Sequence, residues 1–514
     1  MASAPALLAP EQDVPLYPVR NHGLLMLGVM IAALLQILDS NIANVAVPHM
    51  QTSLGANADT INWVLTSYIV AAAVAMPITG WLAERVGTRR LFIWSVAGFI
   101  LSSMLCGMAQ NMTSMVIFRA MQGITGSFIS PLSQAAMIDS TKPSRQPQMM
   151  SLWGMSVMIG PILGPILGGW LTEEWNWRWV FYVNLPLGIV SLVILIAELP
   201  DRAKSERRFD LIGFGLVALA LGSLQLMLDR GNHVDWFESV EIWIYTAVTV
   251  SAAWVGVLHL TSTPDPLFRR ELFANPNFAI SLLLMVVVGL VMMASIALLP
   301  PMMQHLFGYS VIDTGWALMP RGVGTLVSMQ VSGWLVRRGV DARPIVMLGF
   351  LLAGVSLWMM SGWSLDVDNG HIIITGLIQG LGMGLVFIPL NNAAFATLPP
   401  TLRTEGASLL NLTRSLGASV GISVCTTLFA RSVQVSHADL AANVDGSFTE
   451  AIDVTTIDRF QALGDAVLRM IDGEVTRQAM MIAYINDFYA MMWVTLAAIP
   501  LVLLMRPVTP PRQP

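Results

Sequence analysis

GWLAERVGTRR (Gly80 to Arg90) and GWLVRRGVDAR (Gly333 to Arg343) are nearly the same phrase written twice, 253 residues apart in a chain of 514. Each follows an apolar stretch and runs into a turn rich in arginine. A second pair keeps almost the same spacing. MQGITGSFISPLSQAA, around Gln122 and Pro131, is echoed by IQGLGMGLVFIPLNNAA, around Gln379 and Pro389, at offsets of 257 and 258 residues. Two motifs repeated in one order at one spacing argue for duplicated halves. A parallel repeat of helical bundles is a transporter pattern.

Working outward, the chain is 55% hydrophobic and 11% charged, with mean hydropathy +0.66. Ordinary globular domains are about a quarter charged, so this is a polytopic membrane protein. Apolar stretches of roughly 20 residues, each able to cross a ~30 Å hydrocarbon core, recur between short polar turns. Inside lipid they must be helices, because every backbone polar group has to be satisfied within the segment. The expected spans are 24–47, 60–83, 91–110, 113–138, 148–171, 178–199, 211–229, 240–261, 278–304, 313–336, 344–363, 371–396, 405–430 and 485–505. The fold class is all-α, with fourteen transmembrane helices: two six-helix bundles and two inserted helices.

Orientation follows from arginine and lysine in the short loops. Arg85, Arg89, Arg90, Lys142, Arg145, Arg202, Lys204, Arg207, Arg208, Arg269, Arg270, Arg337, Arg338, Arg343 and Arg403 all fall on one face of the alternating pattern. The other face has Arg178 and Arg230 in short loops and four arginines in the long loop 431–484. Both termini are therefore expected on the cytoplasmic side. The resulting organisation is a tail 1–23, an N-terminal bundle 24–199, a linker with the inserted pair 200–275, a C-terminal bundle 276–505 that includes loop 431–484, and a tail 506–514. The first residues lack the pattern of a cleaved signal peptide. The net charge of -5 owes much to the long loop and implies no nucleic-acid binding. Cys106 and Cys425 lie in different halves, so neither a disulfide nor a metal site is expected. No GxxxxGK[ST] loop or catalytic cluster is present, so the chain reads as a secondary transporter, not an enzyme, with no cofactor and a proton gradient as energy source.

Asp39 reads as the only carboxylate placed deep in the bilayer. Such a residue is costly unless paired, hydrated or protonated, and marks an ion or substrate pathway by default. Arg119 reaches similar depth from the other side, so the two can neutralise each other, and protonating Asp39 would release the arginine. The alternative is a static ion pair. Gln36 and Gln122, beside these two, are candidate substrate contacts because a buried amide needs a partner. Arg321 and Arg414, the other deep basic residues, are further candidates, with no deep acid expected in the C-terminal half. Gly160, Gly164 and Gly168 form a smooth ridge, with Pro161 and Pro165 beside it removing backbone donors and Gly169 at its end. The ridge is a candidate gate. Gly417 and Gly421 form a weaker one. Gly80, Glu84, Arg85, Gly87, Arg89 and Arg90 make an ordered turn suited to latching one access state through a neighbouring helix end.

These residues resemble the major facilitator superfamily, and within it the fourteen-helix drug:proton antiporters. GWLAERVGTRR is similar to the signature between the second and third helices, with Glu84 where aspartate is more usual. RAMQGITG (Arg119 to Gly126) resembles the fourth-helix signature, GPILGPILGG (Gly160 to Gly169) that of the fifth helix in antiporters, and ILDSNIANVAVP (Ile37 to Pro48) that of the first helix. The resemblance implies proton-coupled export of hydrophobic or amphipathic toxic compounds by alternating access, in a bacterial inner membrane. It also implies a periplasmic adaptor docked on the long loop and an outer-membrane channel as partners. The alternative is a single-component proton-coupled transporter of a specific metabolite, fatty acid or siderophore.

Overall fold

The computed structural model describes residues 13–201, 207–442 and 465–507; sequence readings that fall on the remaining segments lie outside it. The described residues are helical almost throughout. The first half contains α1 (His22–Ser53), α2 (Trp63–Val86), α3 (Thr88–Gly107), α4 (Met112–Ser127), α5 (Ile129–Ser140), α6 (Gln146–Glu174) and α7 (Asn184–Glu198). The inserted pair is α8 (Leu211–Arg230) and α9 (Val240–Ser262). The second half contains α10 (Pro276–His305), α11 (Val311–Arg337), α12 (Ala342–Met360), α13 (Asn369–Ala396), α14 (Arg403–Ala442) and α15 (Asp465–Leu503).

Each expected span coincides with a helix or a helix pair, and 12 helices among the described residues are long and apolar enough to cross a membrane. The two remaining spans have physical reasons for falling short. Span 113–138 breaks at Phe128 into α4 and α5, because Pro131 has no N–H and its ring displaces the carbonyl one turn earlier. Pro77 likewise inserts a 3-10 turn, Met76–Ile78, into α2. In α11 the charges Asp313, Arg321 and Arg337 dilute an otherwise apolar run.

The segment 431–484, expected as a polar loop in which stretches such as 457–477 could form amphipathic helix, is helical in its described parts. Its described parts continue the flanking helices. α14 has 40 residues and α15 has 39, so each is ~60 Å long, about twice the hydrocarbon core. Their outer arms run side by side: Phe429 and Tyr484 rings are 4.5 Å apart, Asn486 Nδ2 donates to Ser432 Oγ at 2.9 Å, and His437 meets Asp472 at 2.9 Å. Polarity marks where a helix leaves lipid, not where it stops, and both arms are free of proline and built largely of helix-tolerant residues.

Small residues hold the halves together internally. The ridge on α6 lies on α1: a Cβ at Gly160 would sit 2.6 Å from Ile37 Cγ2, and one at Gly164 2.6 Å from Asn41 Cβ. Gly168 faces the Ile42 carbonyl, while Gly169 faces open space and takes no part. The ridge on α14 is no weaker. Gly417 and Gly421 lie on the backbone of Val286 and Leu290, and Gly289 of α10 lies on the Arg414 carbonyl.

The two halves meet at the arginine-rich face, called here the basic face. Arg403 Nη1 donates to Asp139 Oδ1 at 2.8 Å, and Ser408 Oγ to the Met76 carbonyl at 2.6 Å. Ser151 Oγ donates to the Met329 carbonyl at 2.9 Å. Both copies of the repeated turn reach the opposite half. Gly80 sits against Glu405 at the start of α14, and Gly333 against Ser151 and Pro147 at the start of α6. At the opposite face α8 and the turn that follows it bridge the halves: Thr66 Oγ1 donates to Asp229, Ser423 Oγ to the Leu228 carbonyl, and Asn232, in the turn, bonds to Thr426 and Thr427.

Candidate functional site

Asp39 lies 17 residues into α1, ~25 Å from the basic face at ~1.5 Å per residue. It is fully buried, as are Arg119, Gln122 and Asn184. α4 and α7 deliver three donors to its carboxylate. Arg119 Nη1 donates to Oδ2 at 2.9 Å, Gln122 Nε2 to Oδ1 at 2.8 Å, and Asn184 Nδ2 to Oδ1 at 2.6 Å. Arg119 is saturated in turn. Its Nη1 also donates to Gln122 Oε1 at 2.8 Å and its Nε to the Val64 carbonyl at 3.0 Å, between the rings of Tyr68 and Phe181. Asn184 Nδ2 reaches Ser103 Oγ at 2.9 Å as well.

A buried pair of this kind is neutral overall and tolerable only because its remaining lone pairs and protons are satisfied. Chemically it can exist in two arrangements. With Asp39 ionised, three helices (α1, α4 and α7) are tied by charge-assisted bonds. With Asp39 protonated, Arg119 loses its counter-charge and the ties weaken. The glycine ridge of α6 lies against Ile37, Leu38, Asn41 and Ile42, the residues flanking Asp39. A change at the acid is therefore next to the closest helix seam of this half.

The other residues singled out from sequence are placed as follows. Gln36 does not join the ion pair; it accepts from Ser130 Oγ of α5 at 2.8 Å. Gln122 is engaged with both charges. Pro161 and Pro165 lie within the continuous helix α6. Glu84 Oε1 accepts from Arg269 Nη2 at 2.9 Å, and Glu405 accepts from the Arg269 backbone at 2.6 Å and from Arg207 at 3.5 Å. Gly87, at φ 101°, turns the chain from α2 into α3, a conformation that favours glycine. Arg89 Nη2 donates to the Ile196 carbonyl at 2.6 Å; Arg85 and Arg90 are exposed.

Arg321 and Arg414 are half-buried in the second half. Arg321 Nη2 reaches the Met292 carbonyl and Arg414 Nη2 reaches Asn411 Oδ1, each at 3.3 Å. Arg414 borders a narrow cavity between the halves, with Gln134, Trp153, Phe387, Asn391 and Asn411. Gln134 and Asn391, one from each repeated segment, bond across it at 2.8 Å, and Trp153 stacks on Phe387 at 6.5 Å.

Two polar groups escaped the sequence reading. Asn184 is an amide in an apolar helix, and that alone could have flagged it. Asp487 corrects the statement that Asp39 is the only deep carboxylate. It is 1% exposed on α15, 16 residues before the basic end of that helix, or ~24 Å along it. The expected span 485–505 places it at a helix end, whereas the helix begins 22 residues before it, at Asp465.

The profile described as the Major Facilitator Superfamily matches residues 29–422. The Multidrug export protein EmrB of Escherichia coli (strain K12) is 34% identical over 425 residues, 82% of this chain and 83% of that protein. The Fatty acid resistance protein FarB of Neisseria gonorrhoeae is 32% identical over 484 residues, 94% of this chain and 95% of that one. A crystal structure of a double-tryptophan XylE mutant superposes with TM-score 0.63 at 11% identity, covering 96% of this chain and 98% of the other. With duplicated six-helix halves, close glycine seams and a profile match over most of its length, this chain belongs to the major facilitator superfamily and is a membrane transporter.

Proposed function

We propose that the protein exports hydrophobic or amphipathic compounds in exchange for protons, by alternating access between its halves. The basic face and both termini are cytoplasmic in this reading, the membrane is a bacterial inner membrane, and no cofactor beyond the proton gradient takes part. The observation that carries it is the buried Asp39–Arg119 pair, with its three donors to one carboxylate. Export as the direction rests on the likeness to EmrB, a multidrug export protein. The halves are joined at the basic face, which corresponds to a conformation closed toward the cytoplasm.

In transport terms, Asp39 takes a proton from the outer side, Arg119 is released, and the α1–α6 seam shifts as the halves rock. Gly80, Glu84, Arg85, Gly87 and Arg89 form the latch that holds the basic face shut. The helical arms of α14 and α15 offer a surface for a periplasmic adaptor, which would pass substrate to an outer-membrane channel. Asp39→Asn is expected to insert normally and to lose drug-induced proton flux in inverted vesicles by more than about tenfold, a barrier change of ~1.4 kcal/mol or more. Full proton-driven efflux by that variant defeats the assignment.

A second reading has its own observation. Arg414 is a cation at the contact between the halves, and it donates to a neutral amide, that of Asn411. It suits an amphipathic anion, such as a fatty acid carried by a single-component transporter, and the likeness to FarB supports that. Arg414→Gln should then lose transport of carboxylate-bearing compounds while keeping neutral ones. Equal losses for both remove this reading.

A further inference from the structure

Asp487 is an acid that the Asp39 site does not use. It lies on α15, 1% exposed, and both of its carboxylate oxygens lack a hydrogen-bond partner among the described residues. α15 packs on α14, α12 and α10. From α14 the titratable neighbour is Cys425, and on α15 itself Tyr484, one turn earlier. The charged or titratable side chains of α10 and α12 are His305 and Arg343, which stand at a terminal turn of each helix. Among the described residues, therefore, no cation is held against Asp487 as Arg119 is held against Asp39.

An ionised carboxylate buried without a partner is far more costly than a neutral carboxylic acid in the same place, so the group carries a proton instead of a charge. Asp487 is 1% exposed, and a proton is the ligand that needs no added volume there. A recess open to solvent ends one side chain away, on its neighbour Phe488. Between the end of α12 and the start of α13, on the face opposite the basic one, Trp363, Asp366, Asp368 and His371 line a recess of about 540 Å³. Trp363 packs edge-on against Phe488 at 5.9 Å, and Phe488 is the chain neighbour of Asp487. The indole N–H of Trp363 is a second buried polar group without a partner.

We propose that Asp487 is a second proton-binding site, in the C-terminal half, loaded from the outer face through the Trp363 recess and separate from the Asp39 pair. It rests on the proton-exchange reading above only for its use in transport, not for proton binding itself. The two acids lie at matching depth, one in the first helix of the first half and one in the last helix of the second. In this conformation the Asp39 carboxylate is met by three donors and that of Asp487 by none among the described residues.

The test is pH-difference infrared spectroscopy on the full-length protein in liposomes, together with counting of protons moved per substrate. A protonated-carboxyl band that disappears at alkaline external pH is expected in the wild type, retained in Asp39→Asn and lost in Asp487→Asn. Asp487→Asn should also move one proton fewer per substrate. Asp487→Glu, which keeps the carboxyl, should shift the band without removing it, and serves if the amide variant does not fold. An unchanged band in Asp487→Asn, or no shift in Asp487→Glu, overturns the proposal. Loss of the band in Asp487→Asn alongside undiminished proton exchange by Asp39→Asn would instead defeat the Asp39 assignment and leave this one standing.

Discussion

Asn184 is the shortest contact to Asp39, at 2.6 Å, and the one with the least obvious reason to be there. Replacing it with leucine keeps the volume and removes a donor from a buried carboxylate, a loss of about 1–3 kcal/mol. Asn184→Leu should lower the melting temperature in detergent; a melting curve identical to the wild type would show that the bond contributes nothing. Residues of this kind mark the limit of reading from sequence. Asp39 and Arg119 are legible because the cost of a charge in lipid is carried by the residue itself. Their full set of partners is not, because Gln122, Asn184 and Ser103 are brought together by the packing of four helices. Asp487 was visible as a letter but hidden by the boundary drawn around its helix.

At the scale of elements, the α1–α6 seam makes the sharpest demand. A Cβ on Gly164 would lie 2.6 Å from Asn41 Cβ, whereas one on Gly169 meets nothing within 4 Å. Gly164→Val should therefore push the two helices apart, cost about 1–3 kcal/mol as overpacking does, and lose efflux. Gly169→Ala should be close to neutral in the same growth and melting assays. If Gly164→Val transports at the wild-type rate, the seam is not part of the moving machinery. Glycine spacing of four made the ridge readable, but which glycines meet a neighbour is fixed by the partner helix. The same holds for Gly417 and Gly421, whose contacts with α10 are backbone to backbone. The long arms of α14 and α15 were misread for a different reason: hydropathy reports the solvent around a helix, and these helices change solvent partway along.

For the whole molecule, the contacts at the basic face decide which side is closed. Arg403 is paired with Asp139, which is 1% exposed. Arg403→Gln removes a charge-assisted bond worth about 1.5–3 kcal/mol, and each ~1.4 kcal/mol is a tenfold shift in population. Single cysteines placed near Gln134 should become about tenfold or more accessible to reagents added on the side of the basic face. Unchanged labelling would show that the pair does not hold the closed state. The duplication at about 255 residues made the two halves legible, and with them the existence of two access states. The state adopted was not, since it depends on pairings such as Arg403 with Asp139 that join distant segments.

The reach of α14 has a mechanical consequence. It is seated at its basic end against Gly80, packed closely along its middle on α10 at Gly417 and Gly421, and extended beyond its apolar span. A helix held in that way is a lever. Rocking of about 10° around its seated end would sweep the far tip of a ~60 Å rod through about 10 Å. Whatever rests on that tip would receive each transport cycle as a stroke, so the arm could signal the position of the halves to a neighbour that never touches the substrate.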